Sequence, residues 1–209
     1  MKLVPTKNAA LFRAESIAFC GLAIALLAVA SWITVPLGPV PFTLQIMMLV
    51  FVVLLFPARE ALVSIFGYLI LGALGAPVFS GMKGGLAALM GSTGGFIVGF
   101  GLGAVAAVLI LKAWKAPAAK ESSESRAGKR GGVLVMGLAR EYVAALALLL
   151  VSYVCGWAQL MAVAGMDPLA AFMAGIAPFI VPDVIKIVVA ASLAHAIRSA
   201  VPALRTKAA

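Results

Sequence analysis

The sequence predicts an all-α integral membrane protein with six transmembrane helices, and three observations carry that prediction. Hydrophobic residues fill 64% of the 209 positions and charged residues only 11%, with a mean hydropathy of +1.16. That is far too apolar for a soluble domain. The charges that do occur are gathered between long apolar runs, most of them near the roughly 20 residues that cross a bilayer. Lysines and arginines fall almost wholly on one side of the resulting topology, as the positive-inside rule requires. The net charge of +9 follows from that topology and needs no nucleic-acid partner.

Between Glu15 and Arg59 no charged residue occurs, a stretch too long for one span. Pro36, Gly38, Pro39 and Pro41 divide it, because proline lacks the N–H and clashes with the preceding helical turn. A first helix is expected near 17–35 and a second, somewhat short, near 42–57. The third is expected near 61–79 and the fourth near 88–111, with the Pro/Gly-rich APVFSGMKGG between them. Residues 112–133 contain KAPAAKESSESRAGKRGG, a charged, Ser/Gly-rich stretch that reads as a linker between four helices and two. The fifth helix is expected near 142–164 and the sixth near 182–200. Residues 169–177, between Pro168 and Pro178, are too short to span and read as a surface or re-entrant segment.

On a count of six, fourteen basic residues share one side: Lys2, Lys7, Arg13, Arg59, Lys112, Lys115, Lys120, Arg126, Lys129, Arg130, Arg140, Arg198, Arg205 and Lys207. Apart from the intramembrane Lys186, only Lys83 falls on the other. Both termini are therefore expected in the cytoplasm. No signal-peptide pattern stands apart from the first helix. Cys20 and Cys155 lie within apolar spans and read as small packing residues, His195 stands alone, and no metal site is indicated. Glu60 beside Arg59 and Glu141 beside Arg140 read as boundary charges on short connections.

Asp183 and Lys186 are the only opposite-charge pair inside an apolar run, PFIVPDVIKIVVA. Three positions apart, they share a helix face. Either they form a salt bridge that only joins helices, or they mark a ligand or ion pathway, the usual role of ionisable residues at membrane depth. Asp183 directly follows Pro182, which predicts a place in the first turn of helix six, where a carboxylate suits the positive dipole end. The outer connections are apolar and rich in Pro and Gly: TVPLGPVPFTLQ, APVFSGMKGG with GSTGGF, and GMDPLAAFMAGIAPFIVPD. Non-helical backbone at such depth is tolerated where it lines a cavity, so these segments are expected to wall a pocket floored by Asp183 and Lys186. Gly95, Gly99 and Gly103 read as a small-residue stripe for close helix packing, and GSTGGF lacks the Gly-Lys-Ser/Thr of a nucleotide loop.

The segments VPLGPVPFTLQ, LGALGAPVFSGMKGGLAALMGSTGGFIVGF and PFIVPDVIK, in that order, resemble the BioY family, the biotin-specific substrate-binding component of energy-coupling factor (ECF) vitamin transporters. The resemblance runs from about residue 14 to 200. It implies a six-helix substrate-binding subunit in the bacterial cytoplasmic membrane that holds biotin near the outer face and serves its uptake. It carries the ligand role onto Asp183 and Lys186 in the last helix, and onto Gly91, Thr93, Gly94, Gly95 and Phe96 in the glycine-rich loop. Phe96 stands where the family often has tyrosine, which leaves ring packing without a hydroxyl. The ureido group of biotin needs polar partners; Asp183 is expected to accept from its N–H and Lys186 to donate to a ligand oxygen. Gln45 offers donor and acceptor at the outer mouth. Phe79, Phe96, Val78 and Trp32 match the apolar part of the ring system. Lys83 is either solvated or in contact with the biotin carboxylate.

No Walker A sequence, cofactor motif or catalytic constellation is present, so the chain is not expected to be an enzyme or to bind a cofactor of its own. The resemblance implies partners instead, a transmembrane coupling subunit and two cytoplasmic ATPases. Ala14, Ala18 and the Gly21/Ala25 pair set small residues four apart on helix one, a pattern that serves docking or internal packing alike. In the family that stripe is the docking face. The same role for another small vitamin, biotin transport without a dedicated ATPase module, and a purely structural membrane subunit are the alternatives.

Overall fold

The computed structural model describes residues 7–114 and 128–200. Residues 115–127 of the expected linker, and Lys2, Arg205 and Lys207, lie outside the described residues. The order is α1 (Lys7–Trp32), a two-stranded ribbon of β1 (Thr34–Val35) and β2 (Phe42–Thr43), α2 (Gln45–Leu55) and α3 (Ala58–Ala73). A 3₁₀ turn (Ser80–Met82), α4 (Leu86–Met90), α5 (Gly94–Ala113), α6 (Gly128–Ala164), α7 (Pro168–Gly175) and α8 (Ala177–Ala200) follow. Among the described residues, four stretches are helical, long and apolar enough to cross a membrane: Ala14–Trp32, Gly94–Ala113, Gly137–Ala164, and Pro168–Arg198, which joins α7 to α8.

The centre is α2, eleven residues of QIMMLVFVVLL. A helix apolar all round must be covered all round. It packs against α1, α3, α5, α6 and α8, and nine of its residues are buried. The outer helices bury one stripe and expose another; Leu22, Val63, Ile70, Leu102, Leu109, Leu150 and Val189 are all exposed. Such a belt of outward apolar side chains suits a hydrocarbon solvent. α5 lies closest to α6, because the glycines on its facing side remove the Cβ that would keep the backbones apart. A Cβ at Gly99 would stand 2.7 Å from Ser152 Cα, and one at Gly103 2.7 Å from Leu148 O.

Several boundaries differ from those expected. Helix one ends at Trp32, and Thr34 pairs with Thr43 and Val35 with Phe42, so residues expected at the ends of two helices form the ribbon. α3 stops at Ala73 rather than 79, since Gly75 at φ +108° occupies the left-handed region that ends helices. The expected fourth helix is two, α4 and α5, broken at Gly91–Thr93; Gln159 Nε2 on α6 donates to the carbonyls of Leu89 (2.7 Å) and Gly91 (2.8 Å), taking up groups a continuous helix would use. α6 begins at Gly128, so the last part of the 112–133 linker is helical.

Residues expected as a non-spanning segment form α7, started by Asp167, whose Oδ1 accepts from Leu169 N and Ala170 N at 3.0 Å, with Pro168 at the first position. α8 starts at Ala177, not 182, and Pro182 lies inside it. Asp183 is thus in the second turn, beyond the free N–H groups of the helix start, and the helix dipole does not account for its place. At the end away from the ribbon, the expected boundary charges are joined into the bundle. Ser16 Oγ donates to Glu60 Oε1 at 2.6 Å, and buried Glu141, within α6, receives Arg198 Nη2 of α8 at 2.7 Å.

Candidate functional site

The three Pro/Gly-rich connections meet at one end of the bundle and wall an open cavity, about 680 Å³ with the solvent at its mouth included. Val40, Pro41, Thr43 and Gln45 come from the first segment, and Phe79, Ser80 and Lys83 from the second. Thr93, Phe96 and Phe100 come from the α4–α5 break and α5, Tyr153 from α6, and Gly175, Phe179, Asp183 and Lys186 from α7 and α8. The wall is mostly apolar, and its aromatic rings are set by glycines opposite them. The Phe79 ring lies against Gly72, and the Phe96 ring against Gly156, at positions where a Cβ would overlap the ring.

Asp183 and Lys186 face inward because α8 buries Phe179, Asp183, Lys186, Ile187 and Ala190, spaced three and four apart. They are 4% and 6% exposed, and their charges meet at 2.7 Å between Nζ and Oδ1. Burial of an ion pair is tolerable only when the remaining donors and acceptors are satisfied. Here they are: Tyr153 Oη donates to Asp183 Oδ2 at 2.7 Å, Lys186 Nζ donates to the Thr43 carbonyl at 2.7 Å, and the same ammonium sits 3.6 Å from the centre of the Phe42 ring. The ribbon, α6 and α8 are therefore tied together at the charged pair.

Of the expected site residues, Asp183, Lys186, Gln45, Phe79, Thr93, Phe96 and Lys83 line this cavity. Gly91, Gly94 and Gly95 do not line it. The Gly91 carbonyl is held by Gln159, and a Cβ at Gly94 or Gly95 would overlap the Leu89 or Cys155 carbonyl, so these glycines let α4 and α6 approach α5. Trp32 donates its indole N–H to Pro77 O at 2.7 Å, and Val78 takes part through its carbonyl, so neither supplies the apolar wall expected of it. Ala14 and Ala18 lie exposed on α1 with Gly21 and Ala25, away from the cavity lining. Tyr153, Tyr68, Phe42 and the Thr43 carbonyl were not expected. A tyrosine among leucines reads as core, and a backbone carbonyl has no residue type to betray it; the one visible signal was a hydroxyl on a buried stripe of an otherwise apolar helix.

A bundle of apolar helices with a mostly apolar cavity at one end, polar at a satisfied ion pair and a few side chains, defines a multi-pass membrane protein with a candidate small-molecule site. The sequence model of the BioY family matches residues 5–203, and the chain belongs to that family. It is 35% identical to a probable biotin transporter BioY of Pyrococcus horikoshii, over 88% of this chain and 96% of that protein. To the biotin transporter BioY of Thermotoga maritima it is 34% identical, over 83% and 90%. The crystal structure of the S-component for biotin from an ECF-type ABC transporter superposes with a TM-score of 0.73 at 21% identity, covering 94% of this chain and 95% of that one, a likeness of fold.

Proposed function

We propose that this chain binds biotin in the cavity and serves its uptake as the substrate-binding subunit of an ECF-type transporter. The six longer helices (α1, α2, α3, α5, α6 and α8) then form a bundle embedded in the bacterial cytoplasmic membrane, with both termini in the cytoplasm and the cavity near the outer face. The partners are a transmembrane coupling subunit and two cytoplasmic ATPases, met by the α1 face of Ala14 and Ala18; the chain itself is no enzyme and carries no cofactor. The names of its relatives support the ligand. The observation that carries the reading is the Asp183–Lys186 pair, buried at the point where the ribbon, α6 and α8 converge on an apolar cavity. A ureido ring matches it: two N–H donors for Asp183 and Gln45, a carbonyl for a cation, and an apolar body for Phe79 and Phe96. Lys83 lines the cavity wall, which supports a contact with the ligand carboxylate.

Equilibrium titration of the purified protein in detergent tests this reading. Saturable binding of biotin, undisturbed by an excess of another vitamin, is the expected result. Displacement by that vitamin would assign the site elsewhere, and no saturable binding would favour a structural subunit.

A further inference from the structure

Gln45 lines the cavity and is 5% exposed, and its amide can offer a ligand either a carbonyl oxygen or an NH2 group. The hydrogen bonds behind it decide which. The Val78 carbonyl can only accept; Tyr68 Oη lies 2.8 Å from it and Ser31 Oγ 2.6 Å, but Ser31 Oγ is also 2.7 Å from the Ala28 carbonyl and has one proton for the two, so Tyr68 is the donor that Val78 has to itself. Tyr68 has one proton, and that bond uses it. Its oxygen therefore accepts from Gln45, and Nε2 lies 2.6 Å away. The carbonyl Oε1 is turned to the other side of the amide, toward Thr43, whose hydroxyl lies 3.3 Å from it and which also lines the cavity. One donor at that length leaves Oε1 a lone pair for a ligand.

We propose that Tyr68 is a positioning residue: it holds Gln45 with the carbonyl toward the cavity, so that the site selects a ligand that presents an N–H donor there. Tyr68 is fully buried, does not line the cavity, and packs edge-on against Phe79 with ring centres 5.6 Å apart. Its influence on the ligand therefore passes through Gln45 and through the ring it supports. The inference rests on the biotin reading, since a ureido ring supplies two N–H groups. A ring oxygen in place of the N–H that meets Gln45 would set two acceptors face to face and leave both unpaired.

The test compares biotin with its two carbamate analogues, in each of which one ring N–H is replaced by oxygen, by titration of the purified protein. In the parent, the analogue changed at the Gln45 side is expected to bind about tenfold or more weakly than biotin. Tyr68→Phe keeps the ring contact with Phe79 but frees the amide to turn its NH2 inward; one of the two analogue-to-biotin ratios should fall to within about threefold while the other stays unchanged. Ser31→Ala leaves the Tyr68–Gln45 bond in place and should keep both ratios. If Tyr68→Phe does not fold, Gln45→Leu must level the same ratio. Biotin binding with both ratios unchanged in Tyr68→Phe, or in Gln45→Leu, overturns the proposal. A parent that does not bind biotin overturns the biotin reading first, before any variant is made, and this inference with it.

Discussion

Both oxygens of Asp183 are engaged before any ligand arrives, one by Lys186 and one by Tyr153, and Lys186 in turn holds the Thr43 carbonyl. On the reading proposed above, a ligand N–H uses a remaining lone pair of a carboxylate whose position is already fixed. Asp183→Asn should weaken biotin binding by about 1.5–3 kcal/mol, the usual worth of a hydrogen bond to a charged group, in an equilibrium titration. Lys186→Met should be worse, with loss of about 3–5 kcal/mol in folding stability as well, because a buried carboxylate is left without its cation. Parent-like binding by either variant would make the pair structural. Tyr153→Phe removes one donor to the same carboxylate while keeping the ring, and its loss should be smaller than that of Lys186→Met. At this scale the charged pair was legible, because two opposite charges in an apolar run are costly to insert unless they face each other, a partner or a ligand. Tyr153 and Tyr68 were not, since an aromatic residue on a buried helix stripe looks the same whether or not its hydroxyl has work to do.

Helix against helix, the α5–α6 contact depends on missing side chains. Gly99 and Gly103 face backbone atoms, which cannot rotate away as the end of a flexible side chain can. Gly99→Val should destabilise the protein by more than about 1–3 kcal/mol, the usual range for overpacking, and lower its melting temperature in detergent. Gly137, on the facing helix α6, has nothing within 4 Å of a built Cβ. Gly137→Ala should be neutral or stabilising by up to roughly 1 kcal/mol. Equal melting temperatures for Gly99→Val and the parent would refute the close approach as the reason for these glycines. The stripe was readable from its spacing of four. The breaks were less so: Pro182 looks like the start of a helix in sequence, yet α8 begins five residues earlier and runs through it. Proline inside a helix removes one backbone hydrogen bond and crowds the turn before it, so the residue type pointed to a boundary that the fold does not make there. The gap in front of α5 depends on Gln159, a residue 70 positions from the carbonyl of Leu89 that it binds, and no local pattern records such a partner.

In the whole molecule the cavity and the small-residue face of α1 are separate. Ala14 and Ala18 are exposed and line no part of the pocket. Ala18→Trp should leave biotin titrations unchanged, yet reduce uptake and co-purification of the coupling subunit, since approach of membrane helices depends on small residues. Lost binding with a retained partner would move the docking face elsewhere. Alternation of apolar runs made the helical plan legible, but the central place of α2 was not, because an apolar segment reads alike whether lipid or protein surrounds it. The ion pair of Glu141 and Arg198 acquires a meaning at this scale. α6 and α8 run antiparallel as two rails, with Tyr153–Asp183 as one rung and Glu141–Arg198 as another. The rungs are twelve residues apart on one rail and fifteen on the other, or about 18 and 22 Å of helix. Rails with a single rung can shear like an unbraced gate; with two, neither can slide by a turn without breaking both. The charged pair at one face of the molecule is thus braced from the other.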